Sequence, residues 1–362
     1  MVNNIKNKFF GVSNIFHDIK TLKEKYYLLG SISKFALTPY KLRNFIASYL
    51  AKNFGIVAKN IRPTTLYIDV LRGCNFNCIM CKAGEYSPRE YLSFERFKRT
   101  IDMFPDISIL FPIGTGEAFL NREFYKMLSY AASKNFYIFF TSNFSVIDVE
   151  RFLETQADEI QASIDSVNPE RFGKIRENGN FNIVVRNLRK LIGLKRRKNY
   201  KKPIISLKMV VMKENLDEVE EVINFGVKEG IERFYIDTVF VTEWFGYEIA
   251  SSDGKPSKED IEKLKTLIQK YKKKGLKIRF VPNVSFEKGD SYSGYCHFPF
   301  LSIFIDVQGN AFPCCVHIDQ KSVFGNIFED FKGVMKRRYE FLKGFRKKRP
   351  DLCEGCPLYF KP

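Results

Sequence analysis

The chain has 362 residues, 45% of them apolar, which is ordinary for a globular protein and long enough for one large domain and a smaller one. No run of 18 apolar residues and no charged-apolar-small leader is found, so neither a spanning helix nor a secretory signal is expected. The net charge of +18 asks for an anionic partner (a phosphorylated metabolite, a nucleic acid or a membrane surface), unless it is spread over solvated lysine faces.

In chain order, residues 1–62 read as helical. Thr38-Pro39 is a helix start, with an N-cap hydroxyl before a proline at the first helical position. Leu42, Phe45, Ile46, Tyr49, Leu50, Phe54 and Val57 then recur at helical spacing, with Lys41, Arg43 and Lys52 off the stripe. A basic amphipathic helix of this kind can lie on an anionic membrane. The commoner outcome, and the expected one, is that the stripe packs on its own domain.

Residues 65–71 (TLYIDVL) read as a strand, and Cys74, Cys78 and Cys81 follow at C-x3-C-x2-C. Three thiolates so placed can take three corners of a cubane iron–sulfur cluster and leave one iron without a protein ligand. Half of a zinc site would carry a partner pair nearby, and three cysteines cannot pair off as disulfides. Helical and strand-like segments then alternate. Strands are expected at 108–112, 136–141, 159–164, 204–212, 233–237 and 277–281, after helices at 94–104, 124–133, 149–156, 181–194, 216–230 and 258–273. Apolar runs separated by helices are the signature of buried parallel strands, so a βα barrel or open sheet of six or seven strands is expected.

The loops after the strands carry polar residues: Gly114-Thr115-Gly116-Glu117, Ser142-Asn143, Ser163, Asp165, Arg176, Asn215 and Glu243. Two basic runs stand out, at 195–202 and 336–349, and the first, between a helix and a strand, reads as a solvated turn. With no zinc ribbon, OB-like repeat or RNP motif beside them, nucleic acid is not the expected partner. Near the C-terminus Cys296, Cys314, Cys353 and Cys356 form C-x17-C-x38-C-x2-C, with Gly309 five positions before Cys314 and a small hairpin expected over 303–312. Four thiolates can hold every corner of a second cubane, or a structural zinc. Cys315 could replace Cys314, whose spacing is better. Seven of the eight cysteines thus fall into metal-like spacings, which points to a reducing cytoplasm.

These motifs resemble the radical S-adenosylmethionine (SAM) superfamily over roughly residues 63–362, and the last cysteines resemble its SPASM and shorter twitch extensions. The resemblance implies a partial (βα)6 barrel (63–285) between an N-terminal helical extension (1–62) and a small α+β twitch-like domain (286–362). Twitch-like is the expectation because the sequence runs only six residues beyond Cys356. It implies a [4Fe–4S] cluster on Cys74, Cys78 and Cys81 that binds SAM, and an auxiliary [4Fe–4S] cluster on the later four cysteines. Gly114, Thr115, Gly116 and Glu117 would meet the SAM ammonium, and Ser142, Asn143 and Asp165 would face SAM. Ser163 would meet the ribose, Arg176 the SAM carboxylate, and Asn215 the ribose or the substrate. Met80 stands before the last cysteine, where many members carry an aromatic; a thioether can pack on adenine instead. Cofactor chemistry of this kind abstracts a hydrogen, and a closed second cluster can accept the following electron.

The implied partner is a polar, sugar- or polyol-like substrate, phosphorylated or lipid-linked. No N-terminal peptide-binding winged helix is recognisable, and the surface is basic. A flavodoxin or ferredoxin would deliver electrons, and the N-terminal helices could touch a membrane. The alternative is a ribosomal peptide maturase, and a third reading is a non-catalytic iron–sulfur or zinc protein. Tyr235, Asp237 and Glu243 lie where a general base could stand.

Overall fold

The computed structural model describes residues 38–112, 115–239, 254–282, 296, 298–315, 318, 321–345 and 350–353. Seven parallel strands follow one another in space as in sequence: β1 (Thr65–Ile68), β2 (Ile109–Phe111), β3 (Tyr137–Ser142), β4 (Glu159–Ser163), β5 (Ile204–Val211), β6 (Arg233–Thr238) and β7 (Ile278–Val281). Helices connect them and cover the outer face: α2 (Phe94–Met103), α3 (Phe124–Ser133), α4 (Val149–Glu154), α5 (Pro169–Ile175), α6 (Phe181–Arg197), α7 (Val219–Glu229) and α8 (Lys258–Lys273), with α1 (Pro39–Phe54) ahead of β1. Between helices and sheet lies a core that includes Phe97, Phe124, Phe140, Phe152, Leu188 and Leu207, each buried. The sheet is open, so the architecture is a partial βα barrel.

Local chemistry sets the element ends. Thr38 caps α1, its Oγ1 accepting from Lys41 N at 3.2 Å, and Gly55 ends it in the left-handed conformation at φ 71°. Ser257 and Asp260 form a capping box on α8.

The expected hairpin exists as β8 (Ser302–Ile305) and β9 (Asn310–Phe312), followed by β10 (Gly325–Asn326) and the helix α9 (Ile327–Phe345). It is not a separate sheet. β8 lies parallel to β1, with Thr65 opposite Ser302 and Ile68 opposite Ile305, so the order runs β7-β6-β5-β4-β3-β2-β1-β8-β9-β10. β1 is four residues long and would otherwise offer a bare hydrogen-bonding edge; β8 covers it.

A second difference concerns α1. The apolar stripe expected to pack inward faces out in part: Leu42 (49%), Ile46 (48%) and Phe54 (55%) are exposed, whereas Lys41, Asn44, Ser48 and Ala51 are buried. Small and polar side chains let the helix approach closely. Lys41 Nζ donates to Asn135 O at 3.0 Å and lies 5.4 Å from the centre of the Phe136 ring. Ala51 joins Ile61, Cys296, Phe300, Leu342, Phe345 and Cys353 in one apolar cluster, which binds α1 to the C-terminal segment.

Candidate functional site

The C-terminal strand ends form the mouth of the barrel, and the cysteine loop hangs from β1 there. Two glycines latch it to the loop after β2. Gly73 sits at φ 119°, a region closed to most side chains, and pairs with Gly116 across a parallel bridge. Gly73 N donates to Thr115 O (3.0 Å) and Glu117 N to Gly73 O (3.2 Å). A Cβ on Gly116 would stand 1.9 Å from Gly73 O. Gly116→Ala must therefore push the two loops apart, at a cost of about 1–3 kcal/mol. The expected result is weaker iron retention and a lower midpoint in thermal unfolding, read by iron assay and calorimetry.

Glu117 is buried and fully engaged. One oxygen accepts from Ser142 Oγ (2.9 Å) and Phe119 N (3.3 Å), the other from Asn143 N (2.6 Å). Burial pushes its carboxyl above the usual range, against these hydrogen bonds. Asn143 Nδ2 in turn lies 3.7 Å from Cys74 Sγ and 3.0 Å from Asn75 Oδ1. Glu117, Ser142 and Asn143 thus form one relay that orients the first cysteine. Opposite it, Arg176 Nη2 pairs with Asp165 Oδ2 at 2.6 Å, and its Nη1 lies 3.9 Å from Cys78 Sγ. A short antiparallel pairing sets this contact, Cys78 against Arg176. Burial pushes the Cys74 thiol up to about 11 and the Cys78 thiol up to about 12, with Arg176 working against the latter. Asn215 gives Nδ2 to Asp165 O (2.8 Å) and Val210 O (2.9 Å) and takes Met212 N (2.7 Å), so it braces the ends of β4 and β5. Ser163 is buried at the end of β4, and Met80 packs on Ile175, Met212 and Val239.

Thr115 N donates to Asp69 Oδ1 at 2.8 Å, and Thr115 Oγ1 to Oδ2 at 3.2 Å. Burial pushes the Asp69 carboxyl up to about 7. Raised above its ordinary value near 4, this acid favours folding when protonated. Its contribution therefore declines as pH rises from about 4 to 7. Asp69→Asn should raise the melting temperature at pH 8 and change it little at pH 4.5, a trend that scanning calorimetry across pH would reverse or bear out.

Inside the barrel, alternate residues of neighbouring strands share the inner face. Tyr67 stacks on Phe111 (4.7 Å), which meets Phe139 (4.9 Å), which meets Tyr235 (5.7 Å). Below them Glu159 accepts from Tyr137 OH (2.8 Å), Tyr235 OH (3.0 Å) and Arg233 Nη1 (2.6 Å), closing the floor. Tyr235 therefore points to the floor rather than to the mouth, and burial raises its hydroxyl pKa further. Above the aromatic layer Thr141 Oγ1 donates to Gln161 Oε1 (2.8 Å), Gln161 Nε2 is buried with no hydrogen-bond partner among the described residues, and Lys208 pairs with Asp237. Gln161, Lys208 and Arg233 sit within strands rather than in the strand-end loops, so the loop motifs do not point to them. Their signal is polar residues at every second position of otherwise apolar strands.

Of the later cysteines, Cys296, Cys314 and Cys353 are buried and Cys315 is half-buried. No disulfide joins the seven described cysteines. Cys296 and Cys353 share the apolar cluster with Phe300 and Phe345, just before the start of β8, and so lie at the floor end of the barrel. The residues Gly114, Glu243 and Cys356 lie outside those described.

A βα barrel with three half-buried thiols at its mouth and further buried cysteines at its floor end is the scaffold of an iron–sulfur protein of the SAM-binding class. The thiols fit the cluster. Among the described residues no three His, Cys, Asp or Glu side chains converge on a single-ion site, whereas a cubane puts each sulfur on a different iron. Arg176, whose Nη1 lies beside Cys78, has its Nε buried without a hydrogen-bond partner among the described residues, as a donor reserved for a ligand would be. Comparison with known proteins agrees. The profile of the Radical SAM superfamily matches residues 68–226, and that of the SPASM iron–sulfur cluster-binding domain matches 296–357. The chain belongs to the radical SAM superfamily and carries a C-terminal SPASM domain. Its cofactors are SAM and two [4Fe–4S] clusters.

Among curated relatives, mycofactocin maturase MftC of Mycolicibacterium smegmatis is 27% identical over 165 residues, covering 44% of this chain and 40% of the relative. GTP 3',8-cyclase of Hydrogenovibrio crunogenus is 29% identical over 201 residues, 51% of this chain and 58% of the relative. The chain thus spans about half the length of the curated relatives it matches. Streptococcus suis SuiB bound to precursor peptide SuiA superposes with a TM-score of 0.65 at 15% identity, covering 88% of this chain and 73% of that one. The structure of anSMEcpe with bound AdoMet gives 0.58 at 16% identity, covering 82% of this chain and 85% of that one. These likenesses show the fold. No described helix is long and apolar enough to cross a membrane.

Proposed function

We propose that this enzyme oxidises or cross-links a peptide, with Cys74, Cys78 and Cys81 holding the SAM-binding cluster and Cys296, Cys314, Cys353 and Cys356 the auxiliary one. The observation that carries the reading is the placement of Cys74, Cys78 and Cys81 at the mouth of the barrel and of Cys296 and Cys353 at its floor end. β1 alone spans on the order of 13 Å, so the auxiliary cluster would stand across the buried aromatic layer from the SAM-binding one, placed to take an electron rather than to touch the substrate. Bound together, the first cluster and SAM supply a hydrogen-abstracting 5'-deoxyadenosyl radical. The remaining work falls to the chain. Glu117, Ser142 and Asn143 hold the cysteine loop in register, and Arg176, already tied to Asp165, keeps one donor for the SAM carboxylate. The aromatic layer of Tyr67, Phe111 and Phe139 keeps water from the lumen, and Asp237, paired with Lys208, stands ready to take a proton from the oxidised substrate.

A peptide replaces the polar small molecule as the favoured substrate because the MftC and SuiB likenesses are to a maturase and to a structure holding a precursor peptide. A small anionic substrate remains the second reading. The likeness to GTP 3',8-cyclase and the polar layer of Gln161, Lys208 and Asp237 favour it. The test is anaerobic reconstitution with SAM, reductant and peptides encoded beside the gene. SAM cleavage coupled to loss of a hydrogen pair from a peptide supports the proposal. Deuterium passing into 5'-deoxyadenosine only from a labelled phosphosugar would replace it with the second reading.

A further inference from the structure

On the floor side of the barrel, away from the mouth, a cleft of about 670 Å³ opens between α1, the segment just before β1 and α9. Five cationic side chains face it: Arg43, Lys59, Arg62, Lys332 and Lys336. Only two acids answer them, Asp106 and Glu340, and Glu340 is already 3.5 Å from Lys343. Arg62 Nη1 is buried and has no hydrogen-bond partner among the described residues, although the guanidinium lies over the Phe331 ring at 5.1 Å. Behind the cleft, Arg338 is fully buried. Its Nη1 donates to Ile61 O (3.1 Å) and its Nη2 to Pro299 O (2.9 Å), and no carboxylate pairs with it among the described residues. Burial and the neighbouring charge of Arg62 push the Arg338 guanidinium down to about 9.

Buried positive charge with an unsatisfied donor is costly unless an anion completes it. We propose that this cleft binds a phosphate group, carried by a soluble phosphorylated molecule or by an anionic lipid headgroup. A phosphate brings up to two negative charges and several acceptor oxygens, matching a guanidinium fork and surrounding lysines better than a single carboxylate does. Tyr40, Phe331 and Tyr339 supply apolar walls for whatever bears the phosphate. The exposed Leu42 and Ile46 on the same helix make a membrane surface one of the two sources. The site is separate from the cysteine loop, so it does not rest on the peptide reading.

The experiment uses the reconstituted enzyme at fixed ionic strength. Inorganic phosphate and pyrophosphate are titrated calorimetrically, with acetate as control. Vesicles of phosphatidylglycerol are compared with neutral phosphatidylcholine by co-sedimentation. Arg62→Gln and the surface variant Lys336→Gln should each weaken binding about tenfold or more, the loss of one charge-assisted hydrogen bond, with SAM cleavage unchanged. Free phosphate binding lost in both variants assigns a soluble ligand. Vesicle binding lost in both, with no free phosphate bound, assigns a lipid headgroup. Acetate binding as tightly as phosphate, variants binding like the parent, or no binding in either arm overturns the proposal.

Discussion

Replacing Cys78 by alanine should abolish formation of 5'-deoxyadenosine and lower iron from about eight to about four per chain, the content of one cubane. The thiol lies 3.9 Å from Arg176 Nη1, in the strand pair that fixes the loop, and no other cysteine lies near enough in sequence to replace it. The paired change at Cys353 and Cys356 should remove the other half of the iron but leave slow, uncoupled SAM cleavage. Cys315→Ala should leave both counts intact, because the buried Cys314 is the proposed ligand. Iron and sulfide assays with chromatography of the nucleoside decide all three. Equal iron loss and equal loss of cleavage in both cysteine sets would remove the division of labour between mouth and floor.

The second large effect lies at the floor. Arg233→Met leaves the Glu159 carboxylate buried without its cation, and breaking such a pair costs about 3–5 kcal/mol. Burial already raises the Glu159 carboxyl above its usual range, with Arg233 as the main opposing influence. Restoring neutrality with Glu159→Gln should therefore recover much of the loss. One of Tyr137 and Tyr235, which now donate to different carboxylate oxygens, would still donate to the amide oxygen, and the other hydroxyl would accept from the amide NH2. A double-mutant cycle by denaturant unfolding measures the coupling. A coupling near zero would mean that the tyrosines, not the ion pair, support the floor.

Much of this architecture was legible in the residues. The seven parallel strands appear where apolar runs alternate with helical stretches, because strands buried on both faces leave that record. The cysteine loop and the Gly-Thr-Gly-Glu turn were readable for a different reason: only glycine tolerates the approach of residue 116 to residue 73. The lumen was harder to see. In EIQASI the polar Glu159, Gln161 and Ser163 alternate, as do Arg233, Tyr235 and Asp237 in RFYIDT, yet each strand passes for an apolar run because its other face is in the core. The orientation of α1 was not legible at all. Helical spacing marks an apolar face but does not say that the close contact will be made by Asn44, Ser48 and Ala51 instead. Nor does a hairpin in a C-terminal segment announce that its first strand will lie beside the first strand of the barrel.

That last pairing has a consequence for how the protein comes into being. Thr64, at the head of the first strand, hydrogen-bonds Leu301, 237 positions later in the chain. A nascent chain leaving the ribosome must carry its earliest strand with one flank bare until most of the polypeptide has been made. The SPASM segment is thus the keystone that completes the catalytic half. A gene cut before it would yield an unfinished, self-associating sheet instead of a smaller enzyme.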